Sequence, residues 1–153
     1  MTITATLTTF DDPQLVTRLE AAKLPTSDLS TADQFFFVFT DASRAIGCGG
    51  FLLAGEHALM RSIVVDDDRR GTGAGAAILE RLIVAAEIRG ARHIWLLTTN
   101  ADGFFARHGF NQVARAEAPP AIAATPQFSG VCPGSAAFMH RSLAERSAAH
   151  VGL

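Results

Sequence analysis

The alternation of hydrophobic and polar positions changes rhythm several times along the chain, and each change predicts an element. Residues 2–8 alternate loosely between β-branched and small side chains, as a strand would. Asp11, Asp12 and Pro13 then open a stretch that closes at Leu24 and Pro25, the acidic start and proline stop of a helix. From Gln34 the chain turns apolar, and the Phe-Phe-Phe-Val-Phe run at 35–39 is expected of a strand buried on both faces. Residues 43–47 read as a turn, 48–54 as a second strand, 55–57 as another turn and 58–65 as a third strand, giving an antiparallel meander. Farther on, Ile78, Leu79, Leu82, Ile83 and Ala86 recur at helical spacing, with Glu80, Arg81, Glu87 and Arg89 toward the other side, until Gly90 stops the pattern. Residues 93–99 predict a buried strand, 101–108 a short helix ended by Gly109, and 110–116 a further strand. A loop rich in Pro and Ala with one helical turn follows at 117–134, and a last strand at 135–143. Elements in this order describe an α/β (α+β) protein, a mixed sheet with helices packed on it.

Composition narrows the choice of function. With 153 residues, 48% of them hydrophobic and 18% charged, the chain suits one compact domain over residues 1–153. A net charge of -2 and the lack of a basic tract argue against nucleic-acid binding. No apolar run approaches the roughly 20 residues that span a bilayer, and the polar, threonine-rich start does not resemble an export signal. A soluble, cytoplasmic protein is expected. Two cysteines and five scattered histidines lack the spacing of a metal site, so no metal is expected. The apolar balance is compatible with a homodimer.

Chemistry enters at Arg69-Arg70-Gly71-Thr72-Gly73-Ala74-Gly75. Alternate glycines between a strand and a helix let the backbone approach a ligand, while the first helical N–H groups, unpaired by construction, point at it. Phosphate or pyrophosphate is the expected guest. A Walker loop needs Lys-Ser or Lys-Thr after its last glycine, and Ala76-Ala77 follows here. A dinucleotide fingerprint needs its glycines at the strand end, where Asp66 to Arg70 intervene.

Arg70-Gly71-Thr72-Gly73-Ala74-Gly75 instead resembles the cofactor turn of the acetyl-CoA-dependent GNAT acetyltransferases, with Ile63-Val64-Val65 ahead as the strand and Ile78-Leu79 behind as the helix. Residues 101–110 look like the second signature of that superfamily, a short helix ending in Gly-Phe. The resemblance implies the GNAT fold, a mostly antiparallel sheet of about six to seven strands with helices on both faces. It implies acetyl-CoA as co-substrate and direct attack of a substrate amine on the thioester. Backbone N–H groups from Arg70, Gly71, Thr72, Gly73, Ala74 and Gly75 would hold the pyrophosphate, with added charge from Arg69 or Arg70. Ile63, Val64 and Val65 would flank the pantetheine arm. Phe104, Phe105 and His108 would line its far side, although plain core packing serves the two phenylalanines equally well. Two subgroups are similar. Leu96-Leu97-Thr98-Thr99 with Phe104-Phe105 looks like amino-acid acetyltransferases of the N-acetylglutamate synthase type. The run from Leu59 to Val65, with Thr125-Pro126-Gln127-Phe128 and Cys132-Pro133-Gly134-Ser135-Ala136, looks like small acetyltransferases associated with arsenic-resistance operons. The expected acceptor is therefore a small amino-acid-like amine, extending to arsenic- or phosphorus-containing amino acids, with a glutamate-type acceptor or a non-catalytic acyl-CoA-binding module as the alternatives.

One departure stands out. The superfamily's usual acid, a Tyr in the short helix, would fall at Phe105, and the chain contains no Tyr; the Asn often found before that helix falls at Thr98. A thiol with a pKa near 8.5 is already a tolerable leaving group, so turnover does not require that phenol. Catalytic candidates are Glu56, His57 and Cys132, each of which also reads as ordinary surface or packing. Arg61, a lone charge in an apolar strand, either forks onto an anionic substrate or pairs inside the fold. Simple alternation would put Ser62 on the opposite face from Arg61. Thr98 and Thr99, at a strand end, complete the candidate substrate contacts.

Overall fold

The computed structural model describes residues 2–131 and 134–143. Seven strands form one sheet in the order β1-β2-β3-β4-β5-β7-β6: β1 Ile3–Thr8, β2 Gln34–Asp41, β3 Arg44–Ala54, β4 His57–Val65, β5 His93–Thr98, β6 Asn111–Gln112 and β7 Ala137–Ser142. Every neighbouring pair is antiparallel except β4 and β5. The four helices are α1 Pro13–Ala21, α2 Ala74–Ile88, α3 Asp102–Arg107 and α4 Pro120–Ala123. The expected class, a mixed and mostly antiparallel sheet with helices on both faces, is the observed one.

Local chemistry accounts for the boundaries. Asp12 accepts a 2.9 Å hydrogen bond from the Gln14 N–H, and Pro13 occupies the first helical position, so α1 starts where a cap and a pre-set φ coincide. The helix ends in a Schellman pattern: Leu24 N–H reaches Leu19 O at 2.9 Å and Lys23 N–H reaches Glu20 O at 3.1 Å. Lys23 takes the left-handed position, φ 57°, that glycine usually fills. The expected turn at 43–47 shrinks to Ala42 and Ser43, whose φ values of 50° and 71° let a two-residue hairpin loop close. Strand β3 accordingly starts at Arg44. The strand expected at 110–116 is only Asn111–Gln112, because the Glu117 carboxylate takes the Ala114 N–H at 2.9 Å and winds Arg115–Glu117 into a 3-10 turn. Residues 117–134 hold more order than a plain loop: α4 and a π-helical turn at Gln127–Val131 follow one another.

Three apolar clusters flank the sheet. On one face α2 buries Ile78, Leu79, Leu82, Ile83 and Ala86 against Phe37, Phe39, Ile46, Phe51, Met60 and Leu96, and Phe105 and Phe110 extend that cluster beneath α3. On the other face α1 buries Leu15 and Leu19 against Leu29, Phe36 and Cys48. Beside it, Ile122 of α4 packs with Leu59, Trp95 and Phe138. Among the described residues no helix is long and apolar enough to cross a membrane.

The approach of α2 and β4 to β3 depends on Gly47. A Cβ there would stand 2.4 Å from the Val64 carbonyl oxygen and 2.9 Å from Ile78 Cδ1, and a backbone oxygen cannot rotate away. Gly47→Ala should therefore destabilise the fold by about 1–3 kcal/mol, the usual cost of overpacking, read as a lower denaturant midpoint in equilibrium unfolding.

Candidate active-site cleft

Strands β4 and β5 pair only between His57–Met60 and the facing residues 93–96, and beyond the Met60–Leu96 pair they part. A one-residue bulge coincides with the separation. Cys48 faces Val64 and Gly50 faces Arg61, so β4 carries one residue more than β3 across this interval, and Ser62 sits in it at φ 61°. Residues 61–65 consequently present an edge with no partner in β5. A cleft of about 1100 Å³ opens there and reaches both faces of the sheet. Ala22, Lys23, Leu24 and Pro25 line it from the α1 side; the turn before α2, together with Phe104, Arg107 and His108, lines it from the α2 and α3 side.

Gly71 (φ 76°) and Gly73 (φ 88°) occupy left-handed backbone that a β-carbon would strain, and Gly73 caps α2 with no side chain on its first N–H groups. The first intrahelical bond runs from Ala77 N–H to Gly73 O at 3.1 Å, which leaves the preceding amides aimed outward. Arg70, Gly71, Gly73 and Gly75 line the cleft. Arg69, Thr72 and Ala74 are not among its lining residues. The Arg69 guanidinium pairs with Asp41 at 2.7 Å, the Thr72 hydroxyl donates to the Arg69 carbonyl, and Ala74 is packed into the core. Ile63, Val64 and Val65 all line the cleft, as do Thr98 and Thr99, and the Thr98 hydroxyl accepts the Ala101 N–H at 3.1 Å at the start of α3. Phe104 and His108 stand at the wall with ring centroids 4.6 Å apart. Phe105 touches the cleft too, yet it is buried, with its ring edge-on to Phe110 at 5.6 Å.

Arg61 and Ser62 both line the cleft. The bulge overturns the expectation that they lie on opposite faces: period-2 alternation fails across the extra residue, and Arg61 Nε donates to Ser62 Oγ at 3.0 Å. Of the two readings of Arg61, the structure contains the internal pair. Its guanidinium forks onto Asp28, through Nη1 to Oδ2 and, at 2.8 Å, through Nη2 to Oδ1, and Gln34 Oε1 accepts a further bond at 3.0 Å. Both side chains of this pair are buried, 3% and 7% exposed. The Pro25 carbonyl accepts from the same guanidinium at 3.3 Å, so the pair ties the α1–β2 segment down as a wall of the cleft. Asp28, Gln34 and the 22–25 wall carry no sequence motif; the one available signal was that a lone arginine in an apolar strand requires a partner. Cys48 lies beneath the bulge, its thiol donating to the Ser62 carbonyl at 3.4 Å, and burial pushes that thiol up to about 12.

Glu56 and His57 are not brought to the cleft. They stand where β4 and β5 first pair, at the opposite end of the strand, and the Glu56 carbonyl accepts from Arg92 and His93 N–H at 2.7 and 3.0 Å. His57, His93 and His140 stack across three strands with centroids 5.1 and 5.2 Å apart. Trp95 donates its indole N–H to His57 Nδ1 at 3.1 Å, and His93 Nδ1 and His140 Nε2 lie 3.0 Å apart as a hydrogen-bonded pair whose donor is set by the tautomers. Burial, and then the neighbouring His93, hold His57 and His140 below the usual imidazole value, with Glu56 and Glu117 opposing weakly. Cys132 lies outside the described residues, and Ser135 is exposed and does not line the cleft, although its neighbour Ala136 does.

Two outcomes follow from these contacts. Asp28→Ala strands a buried guanidinium and should cost about 3–5 kcal/mol in denaturant unfolding, while the apolar double variant Asp28→Leu with Arg61→Met recovers most of it. For the histidines, the unfolded chain takes up protons first as pH falls past about 6.5, because the folded imidazoles are depressed. Stability is therefore complete above that pH and declines below it. The thermal midpoint should drop between about pH 7 and pH 5, and replacing His57 and His140 by Gln should flatten that slope.

The family model of the acetyltransferase (GNAT) domain matches residues 32–112, more than half of the chain. Over 71 residues the chain is 34% identical to an amino-acid acetyltransferase of Mycobacterium tuberculosis (strain ATCC 25618 / H37Rv), a match covering 46% of this chain and 40% of that protein. Its fold superposes on the N-acetylglutamate synthase of Neisseria gonorrhoeae, solved with coenzyme A and N-acetyl-glutamate, with a TM-score of 0.74 and 17% identity over 94% of this chain and 35% of that one. A GNAT-family acetyltransferase of Staphylococcus aureus gives a TM-score of 0.70 and 16% identity over 93% and 99%. The chain thus spans less than half the length of the mycobacterial relative and about a third of the Neisseria synthase. Because the family match falls on the splayed strands and on the glycine turn that build the cleft, this chain belongs to the GNAT acetyltransferase family.

Proposed function

We propose that residues 1–153 form one GNAT domain that transfers the acetyl group of acetyl-CoA to the amine of a small amino-acid-like acceptor. The observation that carries this reading is the unpaired β4 edge at 61–65, which begins beside the outward-facing amides of α2 and runs through the sheet. The residues present fit the co-substrate. Outward amides at 74–76, with the exposed Arg70 and with Arg107 beside them, suit a pyrophosphate, and the free strand edge suits an amide-bearing arm. When bound, acetyl-CoA supplies an activated acetyl group as a thioester.

The chain's own residues then hold and orient. Backbone groups at the bulge would steady the acyl oxygen, and the cleft would align the amine with the acyl carbon; positioning of this kind supplies most of the rate in such transfers. As the C–N bond forms, the C–S bond breaks, the nitrogen loses a proton to water and the thiolate departs. No phenol is available to protonate the thiolate, since Phe105 occupies the short helix and the chain has no Tyr. An α-amine with a pKa near 8 suits a cleft without an assigned base better than a lysine side chain near 10.4.

The similarity to a mycobacterial amino-acid acetyltransferase favours a metabolic amino acid as acceptor. The motifs at 125–128 and 132–136 extend the reading to arsenic- and phosphorus-containing amino acids and thereby to detoxification. A cytoplasmic location and a homodimer belong to the same proposal.

CoA-thiol release should be measured across proteinogenic, phosphinic and arsonic amino acids and lysine peptides, alongside calorimetric binding of acetyl-CoA. Release with amino acids and silence with lysine peptides is the expected result. Tight acetyl-CoA binding with no release from any amine would replace the enzyme by an acyl-CoA-binding module.

A further inference from the structure

We propose that the Lys23 ammonium binds the carboxylate of the acceptor, from the face of the sheet opposite the glycine turn. This rests on the amino-acid reading of the cleft and names the group that enforces it.

Charge and topology together point to Lys23. No aspartate or glutamate lines the cleft among the described residues, whereas Lys23, Arg61, Arg70 and Arg107 all do. Arg61 and Arg70 have carboxylate partners, Asp28 and Asp67, but neither partner lines the cleft, so the wall itself presents only cations and favours anions. The four cations are not equivalent. Arg61 is engaged by Asp28, so its charge is cancelled within the wall. Arg70 and Arg107 flank the outward amides of α2 and the short α3, on the side suited to phosphates. Lys23 is the cation on the α1 side of the cleft, and none of the ion pairs among the described residues involves it.

Its position is also held. Lys23 occupies the left-handed C-terminal position of α1, fixed by the two Schellman bonds, and two residues later the Pro25 carbonyl is tied to Arg61. It is the only lysine in the chain, where every other basic side chain of that class is arginine. A compact ammonium on a flexible stem can follow carboxylates on side chains of different length, which a rigid guanidinium fork does less well. Because like charges repel across the cleft, the same ammonium disfavours amines that lack an acidic group, such as polyamines or lysine side chains.

The test compares kcat/KM for the preferred amino acid with that for its carboxamide, in the wild type, Lys23→Met, Lys23→Arg and Lys23→Gly. Lys23→Gly suits the left-handed backbone and guards against a variant that fails to fold. Deleting the charge should lower the amino-acid to carboxamide ratio at least about tenfold, mainly through KM, and Lys23→Arg should restore much of it, while calorimetric binding of acetyl-CoA stays unchanged. An unchanged ratio in both Lys23→Met and Lys23→Gly overturns the proposal and leaves the amino-acid reading intact. A wild type that acetylates only amines without a carboxylate removes both.

Discussion

Parallel pairing of β4 and β5 ends after the Met60–Leu96 pair, and much of what distinguishes this molecule depends on that ending. Had the ladder continued, the backbone groups at 61–65 would be consumed in the sheet and the two faces would be sealed from each other. Instead the left-handed Ser62 inserts one residue, the strand bends, and an edge is left free inside the protein. An edge in the middle of a sheet is ordinarily an aggregation hazard. Here the neighbouring elements wall it in, with the glycine turn and α3 on one side and the 22–25 segment on the other.

The Arg61–Asp28 pair shows how that wall is kept. Burying two charges is costly, and they persist only where geometry and extra hydrogen bonds compensate. Arg61 meets both Asp28 oxygens, Gln34, Ser62 and the Pro25 carbonyl, and its guanidinium also lies 5.9 Å from the Phe36 ring. One side chain therefore joins the bulge in β4 to a segment more than thirty residues earlier. Its contribution to the cleft is the shape of the wall, since the charge itself is answered from behind.

Legibility in the sequence followed the range of the interaction. Helix α2 could be read from the recurrence of Ile78, Leu79, Leu82, Ile83 and Ala86 because periodicity is local, and the glycine turn because positive φ is written in residue type. The hairpin at Ala42-Ser43 misled because neither residue advertises a left-handed backbone, which placed the start of β3 too late. The Arg61–Ser62 geometry misled for a related reason: alternation assumes a regular strand, and a bulge announces itself only through its partner strand. Asp28 was invisible because nothing in its own neighbourhood signals an arginine in β4. Glu56 and His57 attracted attention as polar residues in a turn, yet that turn lies at the paired end of β4, remote from where the strands part.

The two walls of the cleft rest on different apolar clusters, α2 on one face of the sheet and α1 on the other. Divergence among descendants of such a fold need not be uniform. Substitutions that reshape the α1 wall leave the packing beneath the glycine turn untouched, so one side of the cleft can change its shape while the other keeps its own. Modularity of this kind usually requires two domains. Here it arises within one sheet, because the opening passes through it.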